Sequence, residues 1–148
     1  MKNKKFYHYT PAFRISEMLE SEEIKPAVIG LGKNEKPVTW ISSNPFWENT
    51  ATKMMNTEKG LIQLTFNQQV QYFGCARIEV KPENLIPWTS LKHQAKIDKK
   101  KAKDLVEKGK KMGGNPNEWH GSLSPININD WIKIEVYNNG VWMTIRKF

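Results

Sequence analysis

Three short stretches of the chain carry side chains whose types and spacing could do chemistry. The first is Phe6-Tyr7-His8-Tyr9-Thr10. The second is Val38-Thr39-Trp40-Ile41-Ser42-Ser43-Asn44-Pro45, an aromatic strand with a polar exit. The third is an isolated acid, Glu118, leading into Trp119-His120-Gly121-Ser122. Side chains alternate along a strand with period two, so His8 and Thr10 share one face while Tyr7 and Tyr9 share the other. A histidine and a hydroxyl on one face suit a site that grips a polar ligand against the end of a sheet. Two further acids rival Glu118. Glu48 follows the second strand, and Glu135 sits in Ile134-Glu135-Val136, where alternation with apolar neighbours suggests an outward face.

The elements that must position these residues can be read from pattern and punctuation. Pro11 suits a first helical turn with Thr10 as its N-cap, and Phe13, Ile15, Met18 and Leu19 give that helix an apolar stripe. A strand is expected over Val38–Ser42, a short helix over Phe46–Met54, and strands over Leu61–Phe66 and Cys75–Val80. One lysine-rich helix should run from Ser90 to Lys111 and stop at Gly113-Gly114-Asn115-Pro116. Strands follow at 118–123, 131–137 and 141–146, with Asn138-Asn139-Gly140 as a strong hairpin signal between the last two. The expected class is α+β, with a largely antiparallel C-terminal part, in one domain spanning 1–148.

Composition narrows the function classes. A single cysteine, Cys75, rules out an internal disulfide framework and fits a reducing compartment, so a cytoplasmic, soluble protein is expected. The chain has no apolar run as long as a membrane span needs. His8, His93 and His120 are too scattered for a local zinc signature, so no metal is expected. The net charge of +8 is concentrated: residues 92–111 hold nine lysines against three acids. Lys92, Lys96, Lys99, Lys100 and Lys103 could track nucleic-acid phosphates as point charges, although no aromatic residue lies among them to stack on bases.

Taken in order, His8 with Thr10, Trp40 through Asn44, and Glu118 resemble the ADP-ribosyltransferase superfamily. The opening, with Met18-Leu19-Glu20-Ser21-Glu22-Glu23-Ile24-Lys25-Pro26 after it, is similar to that of DarT-type nucleic-acid ADP-ribosyltransferases and of RNA 2′-phosphotransferases. The tail from Glu118 through Pro125-Ile126-Asn127-Ile128-Asn129-Asp130-Trp131 resembles the family's glutamate strand and its sequel. The resemblance implies a split antiparallel sheet with flanking helices around nicotinamide adenine dinucleotide (NAD), used as substrate. It implies that His8 holds a ribose, that Tyr9, Thr10, Trp40, Ser42 and Ser43 contact the cofactor, and that Glu118 is catalytic. A carboxylate is needed because breaking the nicotinamide glycosidic bond passes through an oxocarbenium-like state.

Two departures from the family pattern narrow the reading. Only Arg14, Arg77 and Arg146 are present, which disfavours a phosphotransferase that grips a 2′-phosphate with arginine forks. Pro116 stands two residues before Glu118, where arginine-modifying members carry an acid or glutamine. The expectation is an NAD-dependent mono-ADP-ribosyltransferase, toxin-like or a phage- or defence-related modifier, acting on nucleic acid or protein. The alternative is a catalytically inactive module on the same fold that binds a nucleotide or nucleic acid.

Overall fold

Among the described residues every strand pair is antiparallel, and seven strands join into one sheet. The computed structural model describes residues 3–148. In chain order the elements are β1 (Phe6–Pro11), α1 (Ile15–Ser21), β2 (Glu23–Ile24), β3 (Thr39–Ser42), β4 (Met54–Thr57) and β5 (Gly60–Gln63). They continue with α2 (Phe66–Tyr72), β6 (Cys75–Val80), β7 (Ile86–Pro87), α3 (Trp88–Gln94) and α4 (Lys99–Lys111). The last third holds β8 (Trp119–Ser122), β9 (Ile126–Asn127), β10 (Trp131–Asn138) and β11 (Val141–Lys147). The large sheet runs β11-β10-β6-β1-β3-β8-β7, with β2-β9 and β4-β5 as small separate pairs.

The weak seam of this sheet lies between β1 and β3. β1 pairs with β6 along its whole length, from Phe6 opposite Val80 to Pro11 opposite Cys75. With β3 it shares a single register pair, Tyr7 opposite Ser42. Past that pair the ladder stops, and the Trp40 carbonyl accepts instead from the His8 ring Nδ1 at 2.8 Å. A side chain thus satisfies an acceptor that the neighbouring backbone leaves free, as a buried carbonyl requires.

Each face of the sheet has its own core. On one face Ile41, Ala76, Ile78, Val80 and Ile134 pack with Ile15 of α1, with Ile24, and with Trp131. Fully burying an isoleucine of this kind contributes roughly 1.5–3 kcal/mol. The other face is aromatic, with Tyr7, Tyr9, Trp47 and Cys75 packed beside Phe66 and Trp142. A third cluster joins α3 and α4 to the β8 end of the sheet through Leu91, Ala102, Trp88 and Trp119. At Gly121 a Cβ would fall 2.6 Å from Val38 and 2.8 Å from Leu91, so only glycine lets α3 seat there.

Several expected elements take a different form, for local reasons. The lysine-rich segment is two helices, because Lys96 adopts a left-handed φ of 56°. Lys96 N–H then donates to His93 O and Ile97 N–H to Lys92 O, which closes α3. Asp98 caps α4, its carboxylate accepting from Lys100 N–H at 3.1 Å, as a helix N-cap does. The expected helix over Phe46–Met54 shrinks to a 3-10 turn at Asn49–Ala51, and Met54 already belongs to β4. The strand expected through Phe66 ends at Gln63, since Thr65 and Gln68 form a capping box that starts α2. Thr10 stays within β1, and the helical turn starts one residue after Pro11. The Asn138-Asn139-Gly140 hairpin forms, with φ of 48° at Asn139 and 86° at Gly140, the positive values that such a turn needs.

Glu135 does not face outward. It is buried beside Arg77, whose Nε donates to its Oε1 at 2.8 Å. The reason is that β6 is central, so both faces of the β6–β10 pair are covered. The Arg77 guanidinium also lies 4.1 Å from the Tyr7 ring centroid and 4.4 Å from that of Trp142, near enough for cation–π attraction. It donates to the Pro45 carbonyl at 2.8 Å as well. Removing one member of a buried pair strands the other charge. We expect Glu135→Ala to cost about 3–5 kcal/mol in urea denaturation followed by circular dichroism. Arg14→Ala, whose pair with Glu17 lies exposed, should leave the midpoint nearly unchanged.

Candidate functional site

Two cavities flank the β1/β3 seam, of about 500 Å³ and about 530 Å³. They share His8, Ala27, Trp40 and Lys53, and so lie side by side with His8 and Trp40 at the waist. The inner lobe has Tyr7, Tyr9, Trp40 and Trp119 on its aromatic side, roofed by Leu105, Gly109 and Met112 at the α4 end. The outer lobe is more polar, with Thr10, Arg14, Glu17 and Lys25 on its walls. Among the described residues no three His, Cys, Asp or Glu side chains converge as a metal site would require.

His8 is fixed at the waist by the opened ladder. Because a carbonyl can only accept, Nδ1 must carry the proton that it gives to Trp40 O. Burial lowers the His8 pKa below its ordinary value, with Lys53 and Arg14 adding to the shift against the opposing Trp40 hydrogen bond. The ring is therefore neutral near neutral pH, and its Nε2 is a hydrogen-bond acceptor. Lys53 lines both lobes, and burial, with Arg14 nearby, holds its ammonium pKa below the usual lysine value.

The carboxylate of the inner lobe belongs to Glu48, which is 8% exposed. Its Oε1 accepts from Ser42 Oγ at 2.7 Å. Its Oε2 accepts from Thr50 Oγ1 at 2.7 Å, Thr50 N at 3.3 Å and Trp119 Nε1 at 3.3 Å. The chain folds this way because Asn44 Oδ1 accepts from Phe46 N and Trp47 N, an Asx turn that brings Glu48 back under Ser42. α4 approaches closely only because position 109 is glycine; a Cβ there would lie 2.5 Å from the Trp119 ring. A Cβ at Gly114 would similarly meet Gly109 O at 3.1 Å and Glu48 Oε2 at 3.3 Å.

The other sequence candidates occupy definite places around this lobe. His8, Tyr9, Trp40 and Ser42 line the inner lobe together, and Thr10 lines the outer one. The Ser42 hydroxyl is occupied with Glu48 and with Asn44 N–H, and the Tyr9 hydroxyl donates to Asn44 O. Ser43 continues the ladder toward β8, its N–H donating to Glu118 O at 2.9 Å. Glu118 ends a 3-10 turn just before β8 and lines neither lobe; its Oε1 accepts from Asn44 Nδ2 at 3.1 Å. Its carbonyl also bonds His120 Nδ1, and burial lowers the His120 pKa. Of the lysines, Lys96, Lys99, Lys100 and Lys103 are exposed and Lys92 is half-buried. Lys101 ties α4 to Glu35 and to Gly30 O, each at 2.8 Å. Sequence reading missed the contribution of α4 to the lobe, where Lys108 also appears. A glycine inside an otherwise helical run was the available signal.

Compared with family models, with curated proteins and with solved structures, the chain matches none. Among the described residues no helix is long and apolar enough to cross a membrane.

The histidine shifts have a consequence for stability. The folded state holds the His8 and His120 pKa values below the ordinary value, while in the unfolded chain both take up protons at about pH 6.5. Between the folded and unfolded pKa values the unfolded state binds more protons. Their contribution to stability is therefore complete above the unfolded pKa and falls as pH drops from there toward the folded pKa. Urea midpoints at about pH 7.5 and about pH 5 should differ in that direction. His8→Asn, whose Nδ2 can replace the ring Nδ1 on Trp40 O, should shrink the difference. An unchanged difference would remove His8 from the account.

Proposed function

We propose that this protein is an NAD-dependent mono-ADP-ribosyltransferase whose substrate lies along the two lobes at the β1/β3 seam. The observation that carries the reading is the arrangement of two adjoining cavities at His8 and Trp40, where the sheet opens. A dinucleotide is a ligand of two halves joined by a charged bridge, and this cleft has two halves that meet at a cationic waist.

The chemistry of the waist fits such a ligand. The neutral His8 offers an acceptor at Nε2, which suits a ribose hydroxyl and not a phosphate oxygen. Lys53, beside Arg14, supplies positive charge for a pyrophosphate. The aromatic walls of the inner lobe, Tyr9 and Trp40, suit a nicotinamide ring. In the reaction the bond between ribose C1′ and the nicotinamide nitrogen breaks, and its electron pair neutralises the pyridinium. The acceptor's nucleophile then bonds to C1′ and gives up its proton. His8 and Ser42 lie on the neighbouring strands β1 and β3 and both line the inner lobe, in keeping with the resemblance in the sequence. A nucleic-acid acceptor is the reading favoured by α4, whose exposed Lys99, Lys100 and Lys103 share a helix with cavity-lining Lys108.

Calorimetric titration with NAD and assay of released nicotinamide test this directly. Wild type should bind NAD, and His8→Asn, which keeps the Trp40 hydrogen bond but has no Nε2, should weaken binding by about tenfold. Binding of a single-stranded oligonucleotide should fall steeply with added salt and weaken further in Lys99→Glu, Lys100→Glu and Lys103→Glu combined. If wild type shows no NAD binding at millimolar concentration, the transferase reading fails.

A further inference from the structure

Glu48 stands apart from the other buried carboxylates of the fold. Glu79 and Glu135 are also buried, and both have cationic partners, in Lys133 and Arg77. Among the described residues no cationic side chain forms an ion pair with Glu48. It is held by neutral donors alone, three on Oε2 and one on Oε1. A carboxylate oxygen can accept more than one hydrogen bond, so Oε1 keeps acceptor capacity in a residue that lines the cavity.

Placing an acid there without a counter-charge is costly unless something cationic completes it. Of the neighbouring walls, Tyr9, Trp40 and Trp119 are π-faced groups that favour a cation, while Lys53 and Lys108 also line the lobe and the Tyr7 ring is already met by Arg77. Glu118 offers no such surroundings. It lies outside both lobes, with Asn44 on its Oε1.

We infer that the inner lobe takes the cationic pyridinium–ribose end of oxidised NAD and that Glu48, not Glu118, is the catalytic carboxylate. This rests on the transferase reading above. As the C1′–N bond breaks, positive charge leaves the pyridinium nitrogen with the arriving electron pair and appears on the ribose ring, and Glu48 offsets it there. With water as acceptor, the oxygen bonds to C1′ and the proton lost passes to Glu48 and then to solvent, giving ADP-ribose and nicotinamide. Ser42 and Thr50 are positioning residues that hold the carboxylate in place.

The test compares binding of oxidised NAD with that of NADH, whose nicotinamide ring is neutral, so that no turnover is needed. Wild type should favour the oxidised form by about tenfold, and Glu48→Gln should bring the two affinities close together. Where nicotinamide release is measurable, Glu48→Gln should lose it at least about a hundredfold at saturating NAD, beyond its roughly tenfold weaker binding of the oxidised form. A preference that survives in Glu48→Gln and disappears in Glu118→Gln overturns the assignment. Should Glu48→Gln fail to fold, tryptophan quenching of the wild type by 1-methylnicotinamide against neutral nicotinamide gives the answer: equal affinities overturn it. A wild type that binds neither form of NAD defeats the transferase reading itself, and Glu48's role with it.

Discussion

The hydrogen bond from His8 Nδ1 to the Trp40 carbonyl is the contact on which the cleft depends. An antiparallel ladder that continued past Tyr7 and Ser42 would close β1 against β3 and leave no room for a ligand between them. A ladder that stopped with nothing in its place would leave a part-buried carbonyl without a protein partner, which costs free energy. By taking that carbonyl itself, the histidine lets the sheet open without the penalty. The same bond fixes its tautomer and so leaves Nε2 as a hydrogen-bond acceptor.

An opened seam weakens a sheet, and the neighbouring strands compensate. On one side β1 is tied to β6 along its full length, and the Arg77 guanidinium reaches from β6 to Glu135, to the Tyr9 hydroxyl and to the Pro45 carbonyl. On the other side Thr39–Ser42 pairs residue by residue with β8, from Thr39 opposite Ser122 to Ser42 opposite Trp119. The loop after β3 is anchored to both halves at once, since Asn44 accepts from Tyr9 of β1 and donates to Glu118 ahead of β8. Burial raises the Tyr9 pKa, which keeps this anchor a neutral donor. The seam is therefore flanked on both sides by strands that are paired along their lengths.

The same loop delivers the acid. Asn44 turns the chain, Glu48 swings under Ser42, and Trp119 donates to it from β8, so β3, its loop and β8 all converge on one carboxylate. α4 then closes the lobe from above, resting Gly109 on the Trp119 ring. Lysines of α4 serve different ends on different sides: Lys101 binds Glu35 and Gly30, Lys108 lines the lobe, and the exposed ones give the protein its basic surface.

Much of this was legible in the residue order. Alternation places His8 and Thr10 on one face of β1, Asn139-Gly140 requires positive φ and so a hairpin, and Cys75–Val80 reads as a strand to the residue. These features depend on neighbours a few positions apart, and local sterics settle them. The Asp98 N-cap of α4 and the Thr65–Gln68 capping box are equally local signals. What only the tertiary structure decided is which side chains meet. Glu135 is buried because β6 and β10 are neighbours. Glu48 lies in the lobe while Glu118 remains outside, because an Asx turn and a strand pairing bring residues 42, 48, 50 and 119 together. Burial and long-range hydrogen bonding depend on elements far apart in the chain, and no spacing within a single stretch of sequence encodes them.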